Sequence, residues 1–263
     1  MRRTLTSAGR RLHYREAGEG APLVLLHAFP LSADLWEPQL AAPPAGWRLL
    51  APDFRGFGAS TSEGARHVDA HVEDVLGLLD GLGLERVALA GLSMGGYVAL
   101  ALAKLAPERL RALVLVDTRA ESDTPEGRET RTRMQQLALA EGARAIADAW
   151  IPKLVGPTTL ESRPAVLTTL RAIIEPTSPT AIADALETLK TRPDSRPLLP
   201  FITVPTLVVV GEEDGLTPVA MSEAMHRRLP HATLVVIPQA GHLASLERPQ
   251  AFNEALTAFL ATL

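Results

Sequence analysis

The stretch Gly91-Leu92-Ser93-Met94-Gly95-Gly96 constrains this chain more than any other. It follows the apolar run Val87-Ala88-Leu89-Ala90 and precedes Tyr97-Val98-Ala99-Leu100-Ala101-Leu102-Ala103, so it reads as the joint between a buried strand and a buried helix. A turn this tight drives the serine backbone toward positive φ, and glycines two positions before and after it let strand and helix approach closely. The hydroxyl is then lifted out and exposed. The opening N–H groups of the helix, that of Met94 among them, have no intrahelical acceptor and face any anion that forms at Ser93. A bare Gly-x-Ser-x-Gly is also compatible with an inert glycine- and serine-rich turn, but the flanking strand and helix favour a nucleophile beside an oxyanion site.

The rest of the chain is read around that joint. Leu12 to Glu16 alternates as a strand does, and Leu23-Val24-Leu25-Leu26 is apolar throughout, as a strand buried on both faces is. Ser32 or Asp34 caps a short helix through Leu40, Trp47 to Ala51 is a strand, and the glycine-punctuated loop Asp53 to Ser60 holds an irregular backbone. Val68, Val72, Val75, Leu76, Leu79 and Leu82 mark an amphipathic helix ending near Gly83, and Leu110 to Val116 is a further strand ending at Asp117. Alternation of strands and helices with short links predicts a mostly parallel sheet covered by helices.

From Thr118 to about Pro200 that rhythm stops. Helical stretches follow one another at Glu126 to Ala140, Ala143 to Trp150, Leu160 to Ile174 and Thr180 to Lys190, separated or opened by prolines. Sheet order resumes with Pro205 to Gly211, a helix from Val219 to Leu229, the strand Thr233 to Ile237 and a last helix from about Arg248. We therefore expect an α/β core of residues 1–117 and 201–263, with residues 118–200 inserted as a helical cap.

Bulk properties exclude several classes. At 263 residues one domain accommodates the whole chain. With 26 basic and 30 acidic residues and no polybasic cluster, neither a nucleic acid nor a membrane surface is an expected partner. There is no cysteine, so disulfides, thiolate metal sites and a cysteine nucleophile are ruled out. No secretory h-region follows the charged N-terminus, and a cytoplasmic location is the expectation. A single asparagine, Asn253, and 21 prolines suit a heat-tolerant protein or a GC-rich genome equally. His67 and His71 stand at i, i+4, but with no third ligand nearby they read as part of a solvated helix face rather than a metal site.

Ser93 needs a base, and histidine is the usual one. His242, in Gln239-Ala240-Gly241-His242-Leu243, follows the strand ending at Ile237, and loops after parallel strands all emerge at one edge of a sheet. Asp214, in Gly211-Glu212-Glu213-Asp214-Gly215, leaves the preceding strand at that edge and suits the carboxylate that orients the imidazole. Glu212, Glu213 and Asp117 also lie at strand ends. Asp214 is preferred because it precedes a turn glycine and the helix opening Thr217-Pro218, with Asp117 in reserve.

With these residues in place the chain resembles the α/β-hydrolase family, in its serine esterase and 3-oxoadipate enol-lactonase-like branch. The resemblance covers essentially the whole chain: His27-Ala28-Phe29-Pro30, Asp53-x-Arg55-Gly56-x-Gly58-x-Ser60, Gly91-x-Ser93-x-Gly95, Gly211-x-x-Asp214 and Gly241-His242. It implies that Ser93 is the nucleophile, His242 the general base and then acid, and Asp214 the orienting carboxylate. It also implies an oxyanion hole of the Met94 and Phe29 N–H groups, a structural role for His27, and a cap whose Trp150, Met134 and Leu137 line the pocket with Phe29. Relatives usually carry glycine where Ala28 stands.

The implied activity is cofactor-free hydrolysis of small carboxylic esters or lactones through an acyl-enzyme, carboxylesterase first, enol-lactonase or a perhydrolase or haloperoxidase type next. A serine at the elbow argues against dehalogenases and epoxide hydrolases of this fold, which place aspartate there. From another class, a slow-turnover ligand receptor of the same fold remains the competing expectation.

Overall fold

The computed structural model describes residues 1–61 and 64–263. In chain order the elements are β1 (Arg2–Ser7), β2 (Arg10–Gly18), β3 (Ala21–Leu26), α1 (Glu37–Ala41), β4 (Trp47–Pro52), α2 (Val68–Gly81), β5 (Val87–Leu92), α3 (Met94–Leu105) and β6 (Leu110–Val116). Helices α4 (Pro125–Leu154), α5 (Pro157–Ser162), α6 (Pro164–Ile174) and α7 (Pro179–Thr191) follow. The chain closes with β7 (Thr206–Gly211), α8 (Val219–His226), β8 (Ala232–Ile237), α9 (Ala244–Glu247) and α10 (Pro249–Leu260).

The eight strands form one sheet in the order β1-β2-β4-β3-β5-β6-β7-β8. β1 pairs antiparallel with β2 and β2 with β4; every later pairing is parallel. All six residues of β5 and of β7 are buried, which is why their sequences are apolar without alternation. Such strands need cover on both faces. α3 lies across β3, β5 and β6 and packs on α2, while α1, α9 and α10 pack together as a separate group. Each fully buried Leu or Val contributes about 1.5–3 kcal/mol relative to exposure, so the central strands hold much of the core's stability. Because β3, β5, β6, β7 and β8 run parallel, the loops after them share one edge.

The expected elements are present, with particular corrections. β1 was not anticipated: its sequence Arg2-Arg3-Thr4-Leu5-Thr6-Ser7 is mostly exposed at the sheet margin and lacks an apolar face. The helix expected from Leu160 to Ile174 is two, because Pro164 opens α6 one residue after α5 ends and Arg163 between them is non-helical. The two stretches expected on either side of Gly142 form α4, whose backbone leaves helical geometry at that glycine (φ 82, ψ −176). The short α9 was also unanticipated. His71 does not face solvent: it is fully buried on α2 against Phe54, with ring centroids 4.7 Å apart. Among the described residues no cluster of three or more His, Cys, Asp or Glu is placed to hold a metal. Nor is any described helix long and apolar enough to cross a membrane.

The loop after β4 is pinned as its glycines suggest. Asp53 accepts from Ala33 N (2.8 Å), Ala59 N (2.9 Å) and His13 Nδ1 (2.8 Å). Gly58 sits at φ 54, and a Cβ there would lie 2.1 Å from the Asp53 carboxylate, so only glycine fits. His27, fully buried, donates from Nδ1 to Ala28 O (3.0 Å) and accepts from Phe54 N at Nε2 (3.0 Å). It thereby ties the loop after β3 to the loop after β4.

Candidate active site

Ser93 sits between β5 and α3 with φ 52 and ψ −108, the positive φ that the strand-to-helix turn demands. The close approach is visible in the glycines: a Cβ on Gly91 would lie 2.3 Å from Gly95 O, and one on Gly95 would lie 2.3 Å from Leu26 O. Backbone atoms cannot yield to such contacts, so both positions exclude any side chain. The turn is fastened on both sides. Ser93 N donates to Val116 O (2.9 Å), and Ser93 O accepts from Gly96 N, Tyr97 N and Thr118 Oγ1.

The loop after β8 carries His242 to this turn, with Nε2 at 2.8 Å from Ser93 Oγ. Its Nδ1 lies 2.8 Å from Oδ2 of Asp214, in the loop after β7. The carboxylate contact places the ring proton on Nδ1 and leaves Nε2 free to accept from the serine hydroxyl. Asp214 is saturated: Oδ1 accepts from Leu216 N (2.8 Å) and Thr217 N (2.9 Å), and Oδ2 also accepts from Thr217 Oγ1 (2.6 Å). Burial raises its pKa, but the charge of His242 and the hydrogen bonds from His242 and Thr217 outweigh that and bring it to about 2. The group is a carboxylate throughout the neutral range. His242 and Asp214 are both buried, and Ser93 is half-buried.

The other acids at strand ends are engaged elsewhere. Asp117, fully buried, accepts from Gly211 N (2.8 Å) and Ala244 N (2.9 Å), so it braces the loops that carry Asp214 and His242 without touching the imidazole. Burial, reinforced by the charge of Asp214, pushes its pKa well above the ordinary carboxylate value. Glu213 accepts from Thr158 N and Thr158 Oγ1, and Glu212 accepts from Gln239 N.

Phe29 and Met94 flank the site, both buried. Among the described residues neither backbone N–H has a protein acceptor. Ala28 is not at positive φ, so alanine sits there without backbone strain. The Phe29–Pro30 peptide is cis.

A cavity of about 190 Å³ opens beside Ser93 and His242, lined by Phe29, Tyr97 and Leu216 from the core and by residues of α4 and α7. Of the residues expected to line it, Trp150 and Phe29 do so, their rings 6.3 Å apart and edge to face. Met134 and Leu137 do not. Gly127, Thr130 and Arg131 are the α4 residues that reach the cavity ahead of the Gly142 break, and Met134 and Leu137, further along, pack into the hydrophobic core instead.

Sequence reasoning missed Thr217, whose hydroxyl bonds Asp214 and lies 3.2 Å from His242 Nδ1. It also missed Glu247, a fully buried carboxylate that accepts from Gly241 N (2.9 Å), Leu243 N (3.1 Å) and Gly156 N (2.9 Å). Thr217-Pro218 reads in sequence only as a helix opening, and Glu247 as one more polar residue near the last helix.

The comparisons with known proteins agree with this architecture. A family model described as alpha/beta hydrolase fold matches residues 21–249. The chain is 31% identical over 260 residues to 3-oxoadipate enol-lactonase 2 of Acinetobacter baylyi, covering 98% of this chain and 96% of that protein. It is 30% identical over 249 residues to the pimeloyl-[acyl-carrier protein] methyl ester esterase of Nitrosomonas europaea, covering 92% and 96%. Among solved structures, a thermophilic esterase from Thermogutta terrifontis with malate bound superposes with a TM-score of 0.95 at 38% identity, covering 100% of this chain and 98% of that one. The fold, the matched span and these relatives together show that the chain belongs to the alpha/beta-hydrolase fold family.

Proposed function

We propose that this protein is a serine hydrolase of small carboxylic esters or lactones, a carboxylesterase in the first instance, acting through an acyl-enzyme. The observation that carries the reading is the unbroken hydrogen-bonded line from Ser93 Oγ through His242 to Asp214. His242 Nε2 takes the proton as Ser93 Oγ attacks the carbonyl carbon, and Asp214 holds the resulting imidazolium. The oxyanion is received by the N–H groups of Met94 and Phe29, preset donors that need no reorganisation as charge develops. The imidazolium then protonates the departing alcohol. A water molecule, deprotonated by the same nitrogen, releases the acid and restores Ser93.

In this reading residues 118–200 form a cap that roofs the cavity, with Trp150 and Phe29 as its apolar walls. An enol-lactone is the second substrate form, favoured by the likeness to the Acinetobacter baylyi enol-lactonase. Ring opening of a lactone uses the same steps, except that the leaving oxygen stays tethered to the acyl group.

The test is turnover of p-nitrophenyl acetate and butyrate beside a panel of aliphatic and enol lactones. Sustained hydrolysis that disappears in Ser93→Ala supports the enzyme. Release of no more than one nitrophenol per chain supports a slow receptor of the same fold.

A further inference from the structure

A series of openings leads away from Ser93 along α3. Tyr97, Ala101 and Leu105 stand four positions apart on that helix, so they follow one another along one face at about 6 Å per step, beginning one step beyond Ser93. Each borders a different space. The cavity beside Ser93 has Tyr97 and Arg119 in its wall. The same two residues wall a small void of about 10 Å³, bounded on its far side by Val68, Ala101, Pro193 and Ser195. Those four also line a groove of about 470 Å³ at the surface, where Leu105 and Phe201 are exposed. Cavity, void and groove therefore lie in series, and the void between the other two has room for no more than about one water molecule.

The Tyr97 ring is braced in this partition. The guanidinium of Arg192 lies 4.1 Å from the ring centre, and Arg192 is itself tied down: it donates to Leu189 O (2.5 Å) and Glu121 O (3.0 Å) and pairs with Asp123 (2.8 Å). Arg192 and Asp123 are both buried, so moving the guanidinium off these partners would strand a charge away from water, which is costly. The backbone under the ring is fixed as well, because Tyr97 N donates to Ser93 O (3.2 Å). Arg119, the other member of the partition, is held by Asp123 (2.5 Å). Beyond the partition the groove is largely apolar, with Leu100, Ala101, Leu105, Leu198 and Phe201 along it. A fixed aromatic ring thus separates a small cavity from a groove suited to the continuation of an alkyl chain.

We propose that Tyr97, braced by Arg192, is the residue that limits chain length: a linear alkyl chain on the side of the ester that faces Tyr97 is accepted until it reaches the ring and no further. This rests on the hydrolytic reading of Ser93. Short-chain esters are then preferred for a steric reason that lies outside the triad. One methylene too many in a fitted apolar pocket costs about 10–200-fold. With the ring removed, each added methylene is buried along α3 instead and raises kcat/KM by up to about fourfold.

Two ester series read the limit. The p-nitrophenyl esters from acetate through butyrate, hexanoate and octanoate to decanoate vary the acyl chain, and the acetates of ethanol, butanol, hexanol and octanol, followed in a pH-stat, vary the alcohol. In at least one series the unaltered protein is expected to show a step down in kcat/KM of about tenfold or more. In Tyr97→Ala that step disappears, and the ratio of the longest ester to the shortest rises by about tenfold or more. Tyr97→Leu moves the ratio the same way by less, and stands in where loss of the whole ring unfolds the protein. Ala101→Leu, added to Tyr97→Ala, refills the space just beyond the ring and restores the step. No step in either series, a step that the Tyr97 substitutions leave in place, or a relief that Ala101→Leu does not reverse overturns the proposal, while Ser93-dependent turnover of the acetates leaves the hydrolytic reading standing. Calorimetry on Ser93→Ala with the same esters reads the limit without catalysis. Affinity is expected to stop rising with chain length in at least one series, and affinity that climbs through both overturns the proposal even if no ester is turned over.

Discussion

Ser93 Oγ and His242 Nε2 lie 2.8 Å apart although 149 positions separate them in the chain. Nothing local brings them together. β5 delivers the serine and β8 the histidine, two parallel strands with β6 and β7 between them, and their following loops meet because parallel strands end at one edge. Asp117 and Glu247 then lock the approach by accepting backbone N–H groups on either side of His242, at Gly241, Leu243 and Ala244.

Asp214→Asn presents an amide N–H₂ to Nδ1 and forces the other tautomer, in which Nε2 carries the proton and no longer accepts from Ser93. Steady-state kinetics on p-nitrophenyl butyrate are expected to show kcat lowered by about 10⁴-fold, as in other triads, with the thermal unfolding curve little changed. Near-normal kcat contradicts the role assigned to Asp214.

Thr217 is a positioning residue: it holds the Asp214 carboxylate through both its N–H and its hydroxyl. Thr217→Val keeps the shape and removes one bond to a charged group. We expect kcat to fall about tenfold with KM little affected, and Thr217→Ser to restore it. Equal loss in both variants points to packing instead.

His71 sets an acid limit on stability. Burial, then the charges of Arg55 and His27, lower its pKa from 6.5 to about 3, and both ring nitrogens lack a partner among the described residues. The unfolded chain takes up a proton below pH 6.5 and the folded one does not until about 3, so stability is lost as pH falls through that window. Between pH 7 and 5 the loss amounts to about 2 kcal/mol. Urea unfolding of His71→Leu is expected to lack that increment; an unchanged pH dependence contradicts the buried neutral imidazole.

Glu247→Gln replaces one acceptor oxygen by a donor facing backbone N–H groups. Because the carboxylate joins the His242 loop to Gly156 at the start of α5, the substitution is expected to lower stability by about 1–3 kcal/mol and to reduce kcat as well. Urea midpoints beside kinetics check both, and full stability contradicts the clamp.

What the sequence disclosed, and what it hid, follow from the range of the interactions involved. The elbow at Ser93 was legible because strand, turn glycines and helix are contiguous. His242 and Asp214 were legible because each stands just past an apolar run whose parallel neighbours fix where its loop emerges. β1 was hidden because a marginal strand, supported by pairing rather than burial, has no apolar alternation to announce it. His71 looked solvated because its partners come from another loop, and Met134 and Leu137 looked like pocket residues because no helical period says which neighbour an apolar face meets. Arg119 and Asp123, in the loop after β6, and Arg131, on α4, carry no sequence signal because only the fold brings them to one cavity.

The covalent step is the most direct test of the account. The protein is mixed with p-nitrophenyl acetate, quenched in acid during turnover, digested and examined by mass spectrometry. The account predicts a single acetyl group on the peptide carrying Ser93, absent in Ser93→Ala together with the turnover; acetyl found on another side chain, or undiminished hydrolysis by Ser93→Ala, contradicts it.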